Sequence, residues 1–141
     1  MGLSTAYKNS LINKLVGITE GTCYLGLATA APTEDSAGNV TTNELTGGPA
    51  NGYTRLLLGI GNNVATQKMS PASNGSTSNT VQLLFGRALE NWGTITHVLF
   101  FNAATGGQCV GWAPLQTAQS VGQDYVANFD IGSVTLSFTD A

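Results

Sequence analysis

The sequence predicts an all-β protein: an antiparallel β-sandwich of about seven or eight strands, jelly-roll or Ig-like, with one N-terminal amphipathic helix. Three observations predict it. Short stretches alternate bulky and polar residues along much of the chain, as in Thr22 to Ala28 and Ser133 to Thr139. Clusters of Gly, Asn, Ser and Pro separate them, as in Asn102-Ala-Ala-Thr-Gly-Gly107. Strands do not alternate with helices, which excludes a parallel sheet. A chain of 141 residues can bury a sizeable core as a single domain, residues 1–141.

Residues 4–16 carry the helix. Ser4 or Thr5 can cap it, and Tyr7, Leu11, Ile12, Leu15 and Val16 fall on one face. Gly17 supplies the stop. A helix of three turns is marginal alone, so it must pack on its own sheet or on a neighbouring subunit. Thr22 to Ala28 is a strand. Residues 30–52 form a long irregular loop with Pro32, Pro49 and the pairs Gly47-Gly48 and Asn51-Gly52. Tyr53 to Ile60 resumes as a strand, and residues 61–78 form a second long polar loop.

Val81, Leu83 and Phe85 share one face of the next strand. A hairpin between Trp92 and Trp112 follows, and the rest of the chain is organised around it. Its first arm, Thr94 to Phe101, is bulky at nearly every position, so it belongs inside a sheet with both faces covered. Its second arm, Gln108 to Trp112, is shorter. Thr117 to Asp130 holds one broken strand, and Ser133 to Thr139 closes the chain.

Composition narrows the function. Hydrophobic residues make up 42% but charged ones only 9%, against about 25% in an ordinary soluble domain. A surface of Gly, Thr, Ser, Asn and Gln suits a protein covered by neighbours in an assembly. The net charge of −3 and five scattered basic residues leave no patch to neutralise phosphates, so nucleic acid is not an expected partner. No apolar run reaches the ~20 residues of a membrane span, residues 1–21 hold no secretory signal, and no membrane partner is expected.

Catalytic chemistry finds little to stand on. His97 is the only histidine, and strand alternation sets it beside Ile95, Leu99 and Phe101 as a packing residue satisfied by a hydrogen bond. No Gly-x-Ser-x-Gly elbow offers it a nucleophile. Cys23 and Cys109 lie far apart without metal spacing and read as buried reduced thiols, with a disulfide between them the alternative. Glu34-Asp35, with Thr33, Ser36 and Asn39, reads as a solvated loop over a Ca²⁺ site, since EF-hand spacing is missing. No catalytic, metal or cofactor residues are assigned, and no enzyme is expected. Arg55 shares a strand face with Tyr53 and can pair with Glu44, with Glu90, or with an acid across an interface.

Several of these segments together resemble a family of small phage proteins described as tail-fibre or virion structural proteins. The resembling pieces are Lys8 to Leu15, Tyr24-Leu-Gly-Leu-Ala-Thr-Ala-Ala-Pro-Thr33, Glu44-Leu-Thr-Gly-Gly48, Gly52-Tyr-Thr-Arg55, Asn91-Trp-Gly-Thr-Ile-Thr-His-Val98 and Asn102 to Gly107. Asn102 stands where such sequences often carry Asp. The resemblance implies a non-enzymatic virion component, made in the host cytoplasm, that brings no catalytic residues with it. The expected role is a capsid-surface decoration of head-fibre type, with a tail or tail-fibre component, or a carbohydrate-binding adhesion module, as alternatives. The expected partners are copies of itself, in trimers, and other virion proteins such as major capsid or tail proteins; a host-surface glycan belongs to the adhesion alternative. Loops 30–52 and 61–78 and the first helix are the expected contact regions, and Trp92 and Trp112 are expected to fix the fold.

Overall fold

Two runs of apolar residues make the middle of the largest sheet in the computed structural model, which describes residues 2–48 and 50–138. They are β1 (Thr22–Ala28) and β7 (Gly93–Phe101), paired antiparallel with Leu25 opposite Phe100 and Leu27 opposite Val98. Outside them lie β4 (Leu56–Ile60), next to β1, and β8 (Cys109–Val121), next to β7. Strand β7 is therefore interior, as its sequence requires. Val98 and Phe100 enter the main core while Leu99 and Phe101 pack on the opposite face of the sheet with Ala28.

The second arm of the hairpin differs from expectation. Instead of stopping at Trp112, β8 runs to Val121 and absorbs the first part of the broken strand expected from Thr117. Pro114 lies within it, which an edge strand tolerates because no ladder N–H is needed on its outer side. The register slips between Ile95 (opposite Gln119) and His97 (opposite Pro114), so Thr96 faces a bulge of residues 115–118. This slip also corrects the expected alternation. Ile95 does not share the face of Leu99 and Phe101; it packs in the main core with Val98 and Phe100.

The layer facing this sheet is assembled from a helix and two ribbons. Helix α1 (Thr5–Leu15) contributes Ile12, and Val16 and Leu15 pack with it. One ribbon pairs β6 (Leu83–Arg87) with β9 (Val126–Phe129), and its inward residues Leu83, Phe85, Ala127 and Phe129 are all buried. The other ribbon pairs β5 (Ser76–Ser78) with β10 (Thr135–Ser137). The result is a mostly antiparallel, sandwich-like all-β fold, with ten strands among the described residues.

Ser4 caps α1 by accepting the Tyr7 N–H at 3.2 Å, and Gly17, at φ +76°, follows the C-cap Val16. The helix docks on its own chain. Only its C-terminal half reaches the core, however, and Tyr7, expected on the buried stripe, is 55% exposed. Its other anchors are polar: Asn9 and Asn13 accept the backbone N–H groups of Gly75 and Ala72, each at 2.8 Å.

Neither long loop is structureless. Within 30–52, β2 (Thr33–Glu34) and β3 (Val40–Thr41) form a short hairpin, and Glu44 bridges to Ala28 beyond the end of β4. Within 61–78 lie a 3-10 turn, Val64–Thr66, and β5. Polar bonds hold this second region, such as Ser76 to Ser137 (3.0 Å) and Ser70 to Thr77 (3.1 Å). Val81 also departs from expectation. Strand β6 begins at Leu83, and the Asn79 side chain takes the Val81 carbonyl, leaving Val81 42% exposed. Pro49 of the first loop and Thr139 of the closing strand lie outside the described residues.

Candidate functional site

The densest polar construction in the protein sits where the β7–β8 turn meets the segment before β4. Tyr53 and Arg55 are two residues apart in extended chain, so both side chains leave on one side, with Thr54 exposed on the other. Glu44 is brought to them because its segment runs along β1, with the Leu45 N–H donating to the Leu27 carbonyl at 3.0 Å.

Arg55 and Glu44 form a two-pronged pair. Nε donates to Oε2 at 2.8 Å and Nη2 to Oε1 at 2.9 Å. The remaining nitrogen, Nη1, donates to the carbonyls of Ala103 (2.9 Å) and Gly106 (2.8 Å), inside the hairpin turn. The guanidinium carbon lies 3.4 Å above the centre of the Phe101 ring, a cation–π contact. The Tyr53 hydroxyl donates to Glu44 Oε2 at 2.6 Å and accepts the Leu27 N–H at 3.0 Å. The side chains of Arg55 and Glu44 are only 9% and 17% exposed.

Burying such a pair is costly unless nearly every donor and acceptor is used. Here they are used, and the electrostatics follow. The hydrogen bond to Glu44 holds Arg55 above its usual pKa. Burial, reinforced by the adjoining Glu44 carboxylate, pushes the Tyr53 hydroxyl far above its ordinary value. Gly26 leaves the room for all this: a Cβ there would stand 2.8 Å from Phe101 and 3.0 Å from both Glu44 Oε2 and the Tyr53 oxygen.

The turn itself is shaped to present those carbonyls. Asn102 Oδ1 accepts the Gln108 N–H at 2.8 Å, and Gly106 and Gly107 take φ of +60° and +66°. Behind the clamp, the Trp92 ring meets Tyr53 edge-on at 5.7 Å, and its Nε1 donates to the Asn51 carbonyl at 2.9 Å. The Asn51 side chain accepts the Tyr53 N–H at 3.1 Å and donates to the Thr46 carbonyl. Shallow hollows flank Arg55, of about 440 Å³ beside Tyr53 and Thr105 and about 410 Å³ beside Asn39 and Cys109. Their charged groups are already bonded to each other. Chemically, the arrangement fastens three distant segments together.

Of the acids open to Arg55 from the sequence, Glu44 is the partner and the pair lies within one chain. The carbonyls of Ala103 and Gly106, the Asn51 bracket and the room above Gly26 were not foreseen. The Tyr-x-Arg spacing beside a Gly-Gly turn was the one available signal.

Of the other candidate residues, Asn39 and Cys109 line the hollow beside Arg55, and the rest take no part in the clamp. His97 is half-buried, with Nδ1 2.8 Å from the Thr96 hydroxyl. The Asp35 carboxylate is occupied by its own turn, accepting the Ala37 and Asn39 N–H groups at 2.9 Å and the Asn39 side chain at 3.1 Å. Those bonds, the Asn39 backbone first, hold its pKa below the usual range. Both cysteines are free thiols. Cys23 is buried, which pushes its pKa up to about 12. Cys109, expected to be buried as well, is only half-covered at the start of edge strand β8, and partial burial raises its pKa. Trp112 is partly buried against Leu99 and Phe101.

All but one of the segments that carry the phage resemblance thus converge on one place, namely β1 around Gly26, the Glu44 segment, Gly52 to Arg55, the Trp92 strand and the 102–107 turn, while Lys8 to Leu15 lies apart in α1. No curated protein matches the chain. The model of one family, described as podophage GP4 fiber I protein gp80, matches residues 2–137. Since that match spans the helix, both faces of the sheet and the whole clamp, the chain belongs to this phage fibre family and is a structural component of a bacteriophage virion.

Proposed function

We propose that the protein is a non-enzymatic fibre subunit that works through contacts with copies of itself and with other virion proteins. The observation that carries this reading is the match to a fibre family over residues 2–137. Among the addresses expected from the sequence, namely capsid surface, tail and fibre, the family description favours the fibre. The clamp supports the same role. It uses buried charge to lock a turn to two other segments, which serves a part under mechanical load better than a part that must open for a substrate.

The test is to raise antibody against the purified chain, label intact particles with gold and image them. Gold on projecting fibres supports the reading. Gold on the head shell would return the protein to a capsid-decorating role, and purified particles carrying no label would sink both. Light scattering on the purified chain then counts the copies, three being the number expected from the sequence.

A further inference from the structure

Asn followed by Gly occurs twice in the chain, at Asn51-Gly52 and at Asn74-Gly75. The pair is chemically weak, because no Cβ shields the Gly backbone nitrogen from the Asn side chain. Once that nitrogen gives up its proton it can attack the side-chain carbonyl carbon. A new N–C bond closes a cyclic succinimide, and the side-chain nitrogen takes up the proton and leaves as ammonia. Water then opens the ring at either carbonyl, which leaves Asp or isoaspartate.

In this fold both Gly nitrogens are already committed. The Gly52 N–H donates to the Gly48 carbonyl at 3.0 Å, and the Asn51 side chain is held by the Tyr53 N–H and the Thr46 carbonyl. That pair is locked by its own loop. Asn74-Gly75 is locked from elsewhere in the chain. It forms the tip of turn 73–76, where Ser73 and Ser76 exchange both backbone bonds at 2.9 and 3.0 Å. The two central residues take φ of +54° and +74°, the left-handed pair of a type I′ hairpin turn. Asn74 is exposed to water while Gly75 is buried. The Gly75 N–H donates to Asn9 Oδ1 of α1 at 2.8 Å, and its carbonyl accepts the Phe138 N–H at 2.9 Å.

From this arrangement we propose that Asn74 is a deamidation site masked by helix α1, with Asn9 holding the attacking nitrogen. A nitrogen whose hydrogen is committed to Asn9 neither loses that proton nor turns toward the Asn74 carbonyl carbon. The rate is then set by how often the bond opens, and α1 is an element suited to opening. Its core contacts, Ile12 and Val16, lie toward its C-terminal end, while Tyr7 near its start is 55% exposed. The product is one-way. An isoaspartate at 74 runs the main chain through the former side chain, lengthens the turn by one carbon and carries Gly75 away from Asn9. The modification therefore records that the helix has been away from its seat.

The test holds the full chain in warm, mildly alkaline buffer and follows Asn51 and Asn74 separately by peptide mass spectrometry. In urea both should convert readily, and in the folded native chain both should be slowed at least tenfold. Asn9→Ala should speed Asn74 about fivefold, the equilibrium weight of one hydrogen bond, and leave Asn51 slow. Asn9→Asp keeps an oxygen acceptor at that place and should stay near the native rate. Asn13→Ala removes the other polar anchor of α1, on the Ala72 N–H, and should speed Asn74 less than Asn9→Ala does. Circular dichroism checks that each variant is folded at the incubation temperature. A native rate at Asn74 in Asn9→Ala, or a folded native chain as fast as the chain in urea, overturns the proposal. Equal speeding by Asn13→Ala, or Asn51 rising in step with Asn74, overturns it too, since helix docking or the fold as a whole would then set the rate in place of Asn9.

Discussion

Arg55 ties three stretches of chain to one carboxylate and two carbonyls, and its replacement tests how much the tie contributes. Arg55→Ala leaves Glu44 buried with only the Tyr53 hydroxyl as partner, and breaking a buried pair from one side costs about 3–5 kcal/mol. Arg55→Lys should lose most of that too, since a point charge cannot bond both carboxylate oxygens and two turn carbonyls at once. Urea titration of the three proteins measures it; a lysine variant as stable as the native chain would show that the fork geometry contributes little. Asp35 gives a pH-dependent counterpart on the surface. Its folded pKa lies below the ordinary value of about 3.9, so its contribution is present above that pH and disappears as pH falls through the folded pKa. The Ala37 and Asn39 amide resonances should hold their positions down to about pH 4 and move below it, and Asp35→Asn should remove the transition.

At the scale of elements, the β7–β8 hairpin is held from outside by Trp92. That ring is 6% exposed, touches Tyr53 and bonds Asn51, so Trp92→Ala should destabilise by about 3–5 kcal/mol, read as a large fall in Tm. An unchanged Tm would mean that the hairpin is not the organising element. Much of this level was legible in the sequence, and what was legible has a physical reason. Strands β1, β4, β6 and β7 are built from large apolar residues whose pattern reports burial. The helix carried its own cap and stop in Ser4 and Gly17. Strand β8 misled because it is an edge: its bulge is largely exposed, its burial does not alternate, and Pro114 reads as a break. The bulge at Thr96 then reversed the expected side of Ile95. Strands β2, β3 and β5 hid inside polar loops because hydroxyls and backbone hold them, as Thr77 and Ser76 do. Those loops are fastened parts of the fold, so Asn79, buried and bonded to Val81, Asp130 and Val134, belongs with Trp92 among the fold's fixings. The clamp was half visible. Side-chain types pointed to Arg55 with an acid, but carbonyls and a missing Cβ at Gly26 have no side-chain signal to read.

For the whole molecule, the low charge and the fibre family belong together. A chain with 9% charged residues keeps few repulsive groups on its surface and depends on geometry to control what it touches. The two outer strands of the main sheet show that control. Along β4, the Lys68 N–H takes the Leu58 carbonyl at 2.8 Å and the Lys68 ammonium takes the Leu57 carbonyl at 2.7 Å. Along β8, Pro114 and residues 115–118 interrupt the outer rim. Replacing Pro114 with Val and shortening the bulge to two-for-one pairing should leave Tm within a few degrees of native and produce light-scattering aggregates on storage at high concentration. A variant that stayed clear would show that the rim needs no such guard.

Particle assembly makes that guard matter. Where many copies of a subunit are brought close together, an open strand edge is the part of the surface most ready to join one chain to the next. A flat, open strand rim in that crowd would template sheet extension from chain to chain, a growth with no natural end point. Pro114 and the bulge beside it make the subunit a poor monomer for such polymerisation. Any association would thereby be left to side-chain faces, which can count their neighbours and stop.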